Sequence, residues 1–166
     1  MSTDPYACYF DASNCLVCPE VAAIAAVPAR IERMPVVGWN AGANSIQIRD
    51  DSHLHTVFTM PPGTAGAVVG LKGSRARQTL PVLVEHGWHF QSVGAANMAQ
   101  VMEGGVTKTS LVARAADDQF EIRRIHGAVT YWKNGTLVYT SLVPSTGAKL
   151  VNACLYVSGD AVGAAA

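Results

Sequence analysis

The clearest periodicity in the chain runs through residues 120–141, FEIRRIHGAVTYWKNGTLVYTS. It predicts three short β-strands in a row. The first covers 120–125 and ends at a turn on Gly127. The second covers 129–133, meets Asn134 and Gly135, and returns as 136–141. Asn followed by Gly favours positive φ at both central positions of a type I′ turn, whose twist matches that of the flanking strands. β-branched and aromatic residues on both sides complete the hairpin signal. In the outgoing strand Val129 and Tyr131 share one face, Thr130 and Trp132 the other. In the return strand strict alternation sets Leu137 and Tyr139 against Val138 and Thr140. One face must be core, yet each face carries a large aromatic. Trp132 is therefore either covered by another segment or chain, or open to a ligand such as a sugar ring.

From residue 36 onward the same reading gives short strands and turns throughout. Strands are expected at 36–40 and 44–49, broken by Ala41, Gly42 and Ala43. Others are expected at 54–60, 66–71, 82–84, 88–93, 97–102 and 106–113, with Gly104 and Gly105 as a hairpin turn between the last two. A final long strand is expected at 148–158. About ten short strands with little helix imply a sandwich or barrel. The N-terminal stretch differs. Residues 1–37 hold Cys8, Cys15 and Cys18 and the prolines Pro5, Pro19, Pro28 and Pro35, spaced so as to disfavour long regular elements. The expected organisation is a docking arm over 1–35, a β-sandwich domain over 36–160 and a frayed tail over 161–166.

Composition narrows the function classes. Charged residues make up 14% of the 166 residues, against about 25% in ordinary soluble domains. A weakly charged surface suits a protein that buries area against partners, and it equally suits a sandwich rich in small residues. Net charge is zero. No basic cluster is large enough for counterion-driven binding, so nucleic acid is not an expected partner. No apolar run approaches the ~20 residues of a membrane span, and the N-terminal residues lack a secretory pattern. The expectation is a chain folded in the cytoplasm, with thiols rather than disulfides.

Candidate chemistry is sparse. His53 and His55 share one strand face, and His86 and His89 form a second pair with nothing to join it to the first; His126 stands apart. Glu85, Glu103 and Glu121 lie in or near strands without a paired-carboxylate motif. Gly-x-Ser-x-Gly is absent, and residues 70–74 lack the ending of a phosphate loop. The chain is accordingly expected not to be an enzyme. Cys8, Cys15 and Cys18 follow C-x₆-C-x₂-C spacing, and with Cys154 as a fourth ligand they are candidates for zinc or an iron–sulfur cluster. The other reading makes all four small buried hydrophobes.

Residues 129–131, 134–135 and 138–141 follow a strand, Gly turn, V-T-Y-x-x-N-G, V-Y-x-S pattern. That pattern resembles the C-terminal hairpin of concanavalin A-like jelly rolls, of the legume lectin and laminin G kind. Residues 38–45, 57–60 and 68–71 resemble early strands of similar domains in phage tail and virion proteins. The resemblance spans about residues 36–158 and departs at Asp50, Asp51, Ser52 and His53, where such domains carry Gly-Asp-Gly. No lectin-type calcium set is present. The resemblance implies an all-β antiparallel sandwich with an irregular Cys- and Pro-rich arm. It implies a structural component of a tailed-phage virion, at the tail tip or baseplate, assembled in the host cytoplasm among other tail proteins or as a homo-oligomer. The alternative is a glycan-binding module for a host-surface carbohydrate, with Trp39, Trp88, Tyr131 and Trp132 as candidate stacking residues.

Overall fold

The computed structural model describes residues 9–10, 16–17, 38–39, 41–45, 53–73, 80–157 and 160–164. The strands in chain order are β1 (Tyr9–Phe10), β2 (Leu16–Val17), β3 (Ala41–Asn44), β4 (His53–Thr59) and β5 (Gly66–Lys72). A 3₁₀ turn, Pro81–Leu83, precedes β6 (His86–Val93), β7 (Ala96–Glu103), β8 (Val106–Thr107) and β9 (Val112–Ala113). Then come β10 (Gln119–Ile125), β11 (Ala128–Lys133), β12 (Thr136–Thr140), β13 (Leu150–Leu155) and β14 (Gly163–Ala164). All the pairings are antiparallel. One sheet has five strands in the order β12-β11-β10-β4-β14. The other has seven, in the order β3-β13-β5-β6-β7-β8 with β9 also on β7. The fold is the all-β antiparallel sandwich that the strand pattern predicts.

The core lies between the sheets. Leu54, Phe58, Phe120, Ile122, Val129 and Tyr131 face it from the five-stranded sheet. Val69, Leu71, Trp88, Phe90, Val101 and Val151 meet them from the other. The rings interlock across the gap: Phe90 and Phe120 are edge-to-face at 4.8 Å, Trp88 and Phe120 at 5.1 Å. Each such side chain contributes about 1.5–3 kcal/mol by burial, and the ring contacts add about 0.5–1.5 kcal/mol per pair.

The hairpin forms as its sequence requires. Asn134 (φ 50°) and Gly135 (φ 73°) make the two-residue turn. Asn134 also closes it sideways: its N–H donates to the Gln119 carbonyl and its Oδ1 accepts from the Gln119 N–H, both at 2.8 Å. The return strand departs from strict alternation. Tyr131 pairs with Tyr139 but Trp132 pairs with Leu137, so Val138 is the extra residue of a β-bulge. The bulge lets Tyr139 pack inward on Tyr131 while Leu137 turns outward beside Trp132.

Three other expectations change. Residues 41–43, read as a break, form β3, because pairing with β13 outweighs the weak strand propensity of Ala and Gly. Residues 81–83 are a 3₁₀ turn rather than a strand, begun by Pro81 at its first position. Within the tail read as frayed, Gly163 and Ala164 pair with Thr59 and Phe58 as the edge of the five-stranded sheet. In the arm, Tyr9–Phe10 and Leu16–Val17 pair as a small hairpin; Cys8, Cys15 and Cys18 lie outside the described residues.

Candidate functional site

The two sheets each turn one face away from the core, and the four aromatic candidates divide between core and faces. Trp88 and Tyr131 offer no surface to a ligand. Both are fully buried. Trp88 donates its indole N–H to the Glu121 carbonyl at 3.1 Å, and Tyr131 donates to Glu103 Oε1 at 3.0 Å. Their fate follows from the pleat: each sits at the inward position of its strand. Trp39 and Trp132 are half-buried, one on each outer face.

The outer face of the seven-stranded sheet is half roofed. Gly70 of β5 and Gly87 of β6 are direct register partners. A Cβ on Gly70 would strike the His86 carbonyl oxygen and lie 2.6 Å from Val84 Cγ1; one on Gly87 would lie 2.9 Å from Val84 Cγ1. The missing Cβ atoms let Val84, just past the 3₁₀ turn, press onto the sheet. It packs there with Val68, Met102 and Cys154. Glu85 secures this loop, accepting from the Gly73 N–H at 2.8 Å and from Lys149 Nζ at 2.6 Å.

Beyond Val84 the described residues of the face include an aromatic cluster. Trp39 packs edge-on to Tyr156 with ring centroids 5.3 Å apart, and it tilts over His89 at 6.1 Å. The register brings Gln100 opposite His89 and Met98 opposite Gln91. Gln100 Nε2 donates to His89 Nδ1 at 3.0 Å, which makes Nε2 the protonated nitrogen of a neutral ring. Burial holds the His89 pKa below its ordinary value, in keeping with that assignment. Around Trp39 the described side chains thus combine an aromatic pair with imidazole and amide groups that carry no formal charge. Sequence reading named Trp39 but missed Gln100 and Tyr156, and it set His89 with His86. His86 points the other way, inward, with Nε2 on the Val143 carbonyl at 3.0 Å.

Deeper on this face lie Lys72, Asn152 and Cys154, all buried. Burial pushes the Cys154 thiol up to about 11, against the opposing pull of the Asn152 hydrogen bond and the Lys72 charge. Asn152 Nδ2 donates to Cys154 Sγ at 3.1 Å. Cys154 is thus a buried thiol packed with Val68, Val84 and Met102, and the three cysteines expected beside it as ligands lie outside the described residues. Among the described residues no group of three or more His, Cys, Asp or Glu is arranged to hold a metal ion.

Trp132 occupies the outer face of the five-stranded sheet. Its Nε1–H donates to Thr130 Oγ1 at 2.9 Å, two residues back on the same strand. Arg123 Cζ lies 4.2 Å from the centre of its ring. Arg123 Nε and Nη2 donate to Glu121 Oε2 at 2.9 and 2.6 Å, and His55 Nε2 meets the same oxygen at 2.9 Å. Of the polar groups beside Trp132, sequence reading singled out His55 and Glu121 without placing them together.

No protein-family model matches the chain, and no curated protein matches it in sequence. Solved structures similar to it are jelly-roll β-sandwiches of the concanavalin A-like kind. The Crh5 transglycosylase in complex with NAG shares 16% identity at a TM-score of 0.45, over 68% of this chain and 51% of that one. The β-1,3-glucanase of Mycobacterium marinum shares 12% at 0.40, over 73% and 63%. Toad ovary galectin in complex with thio-digalactose shares 9% at 0.37, over 76% and 98%. This chain spans about half the length of the transglycosylase. At such distances no substrate or reaction passes from these proteins to this one. One expectation is corrected all the same: with a transglycosylase and a glucanase among the similar sandwiches, this architecture is compatible with catalysis, and the non-enzyme reading does not hold. Nothing in these comparisons indicates a phage protein.

Proposed function

We propose that this chain is a glycan-recognising β-sandwich that binds a neutral saccharide on the outer face of its seven-stranded sheet. The observation that carries the reading is the half-buried Trp39, braced by Tyr156 and set beside the His89–Gln100 pair. A pyranose ring presents C–H groups to an indole and hydroxyls to its rim. Here the rim holds an imidazole N–H donor and side-chain amides, which serve hydroxyls without a charge penalty. An apolar centre with a few fixed polar groups around it is the general lining of small-ligand sites. The test is titration calorimetry with laminarihexaose, chitohexaose and lactose, on wild type and on Trp39→Ala and Gln100→Ala. At least one sugar should bind, and each variant should weaken it at least tenfold with the thermal midpoint largely kept. Failure of every sugar to bind the folded wild type would overturn the reading.

A second reading rests on His89 itself. The Nε2–H of a neutral imidazole beside a bound sugar can polarise a glycosidic oxygen as a hydrogen-bond donor, so the same face could host glycan-active chemistry. Incubation with the matching polysaccharide, followed by assay for new reducing or unsaturated ends, separates binding from turnover. His89→Ala should abolish any such product while the fold persists.

A further inference from the structure

The Trp132 face of the five-stranded sheet has the features of a site in its own right, and it lies on the opposite side of the sandwich from Trp39. We infer that it is a second saccharide subsite, which makes a single chain divalent for glycan. The inference rests on the binding reading above and extends it to a surface that reading does not use.

Four observations carry it. First, the margins of the face are open among the described residues: the His55 side chain is 51% exposed and Leu137 48%. Second, its aromatic is fixed rather than loose. Trp132 is held by Thr130 on its N–H and by the Arg123 guanidinium on its ring, while the bulge at Val138 delivers Leu137 to its outer flank. An ordered apolar surface loses little entropy on binding.

Third, the polar groups are prepaid but not used up. Glu121 Oε2 takes the contacts from Arg123 Nε, Arg123 Nη2 and His55 Nε2, which leaves Oε1 outside that cluster of bonds on a side chain that is 9% exposed. A guanidinium has five N–H donors, and two of the Arg123 groups are on Glu121. Glu121, the register partner of Trp132, therefore keeps an acceptor oxygen, and Arg123, on the Trp132 ring, keeps N–H donors. Two neighbouring hydroxyls of a pyranose match that arrangement, one donating to Glu121 Oε1 and the other accepting from Arg123. Fourth, the charges of Glu121 and Arg123 cancel locally, and an anionic sugar would bring its charge against the Glu121 carboxylate. The ligand class is a neutral saccharide with a vicinal diol, the same class as on the Trp39 face.

Two subsites on opposite faces have a consequence that one lacks: a monomer can bridge two glycan chains. The experiment is calorimetric stoichiometry with laminarihexaose, chitohexaose and lactose on chain shown to be monomeric by light scattering, with turbidity of the matching polysaccharide as a second readout. Two sites per chain are expected. Arg123→Met, which keeps packing on Trp132 but removes the donors, should leave one site and abolish turbidity. Leu137→Lys, a change at an exposed position, tests the same face if the first variant fails to fold. Trp39→Ala should also leave one site. One site per chain, lost in Trp39→Ala and untouched by Arg123→Met and Leu137→Lys, overturns the second subsite while the first stands. No binding by wild type overturns both.

Discussion

The indole N–H of Trp88 reaches across the core and donates to the main-chain carbonyl of Glu121, 3.1 Å away. One residue belongs to the seven-stranded sheet and the other to the five-stranded sheet. The bond therefore fixes the spacing of the two sheets at their centre. It also sits directly beneath the outward side chains of Glu121 and, one residue along from Trp88, His89.

Trp88→Phe removes this bond and leaves the Glu121 carbonyl without the indole donor. The ring volume is partly conserved, so the cost is expected to lie at about 1–3 kcal/mol. Urea denaturation followed by tyrosine fluorescence and far-UV circular dichroism measures it. Stability equal to wild type would show that the bond is not a determinant of sheet spacing.

Acid should loosen the five-stranded sheet. For Asp118, burial works to raise the pKa, but hydrogen bonds from Lys133, Asn134 and the Ala115 N–H, with the Lys133 charge, bring it below its ordinary value. For Glu121 burial again pushes upward, and Arg123 and His55 outweigh it. Both carboxylates are thus bound more firmly to the folded state when ionised. Their contribution is whole above the unfolded pKa and drains away as pH falls through the depressed folded value. Wild type should lose stability steeply below about pH 4. Asp118→Asn with Glu121→Gln should be less stable at pH 7 and show a flatter acid limb, read as the urea midpoint from pH 7 to pH 2. Parallel curves for the two proteins would contradict the assignment.

The roof over the Trp39 face depends on a missing methyl group. Gly87→Ala places a Cβ against Val84 Cγ1 and near the Val69 carbonyl oxygen and Val68 Cγ1, and is expected to cost about 1–3 kcal/mol by overpacking. Val84→Ala in the same chain should return part of that loss, because it removes the closest of the three contacts. Additive losses in the double variant, measured by thermal denaturation, would rule out the steric account.

Cys154 should be unreactive while the chain is folded. Its thiol is buried and its pKa raised to about 11, so little thiolate exists at pH 8. In a chain carrying Cys8→Ser, Cys15→Ser and Cys18→Ser, Ellman's reagent should react slowly in buffer and within the mixing time in urea. Fast labelling of the folded protein would show that the site opens.

Local signals predicted local structure well. The Asn134–Gly135 turn and the strands around it follow from backbone preferences that act within a few residues, and 54–60 and 66–71 read as strands for the same reason. Where pairing partners are distant in sequence, reading failed. β3 and β14 are built of Ala, Gly and Asn, and they are strands because β13 and β4 supply ladders for them. Val138 could not be recognised as a bulge, since alternation alone gives no sign of an extra residue.

The candidate sites divide in the same way. By itself the sequence determined that the chain is antiparallel β, that Tyr131 and Trp132 take opposite faces, and that Trp39, Trp88, Tyr131 and Trp132 are the aromatics to weigh. Only the tertiary structure decided which face is core, because a period of two is symmetric between faces until a second sheet covers one of them. Only it joined His89 to Gln100, Trp39 to Tyr156, and Arg123 to Glu121, His55 and Trp132. Register across a sheet is set by the packing of the whole sandwich, and these groups meet through register rather than through neighbourhood along the chain.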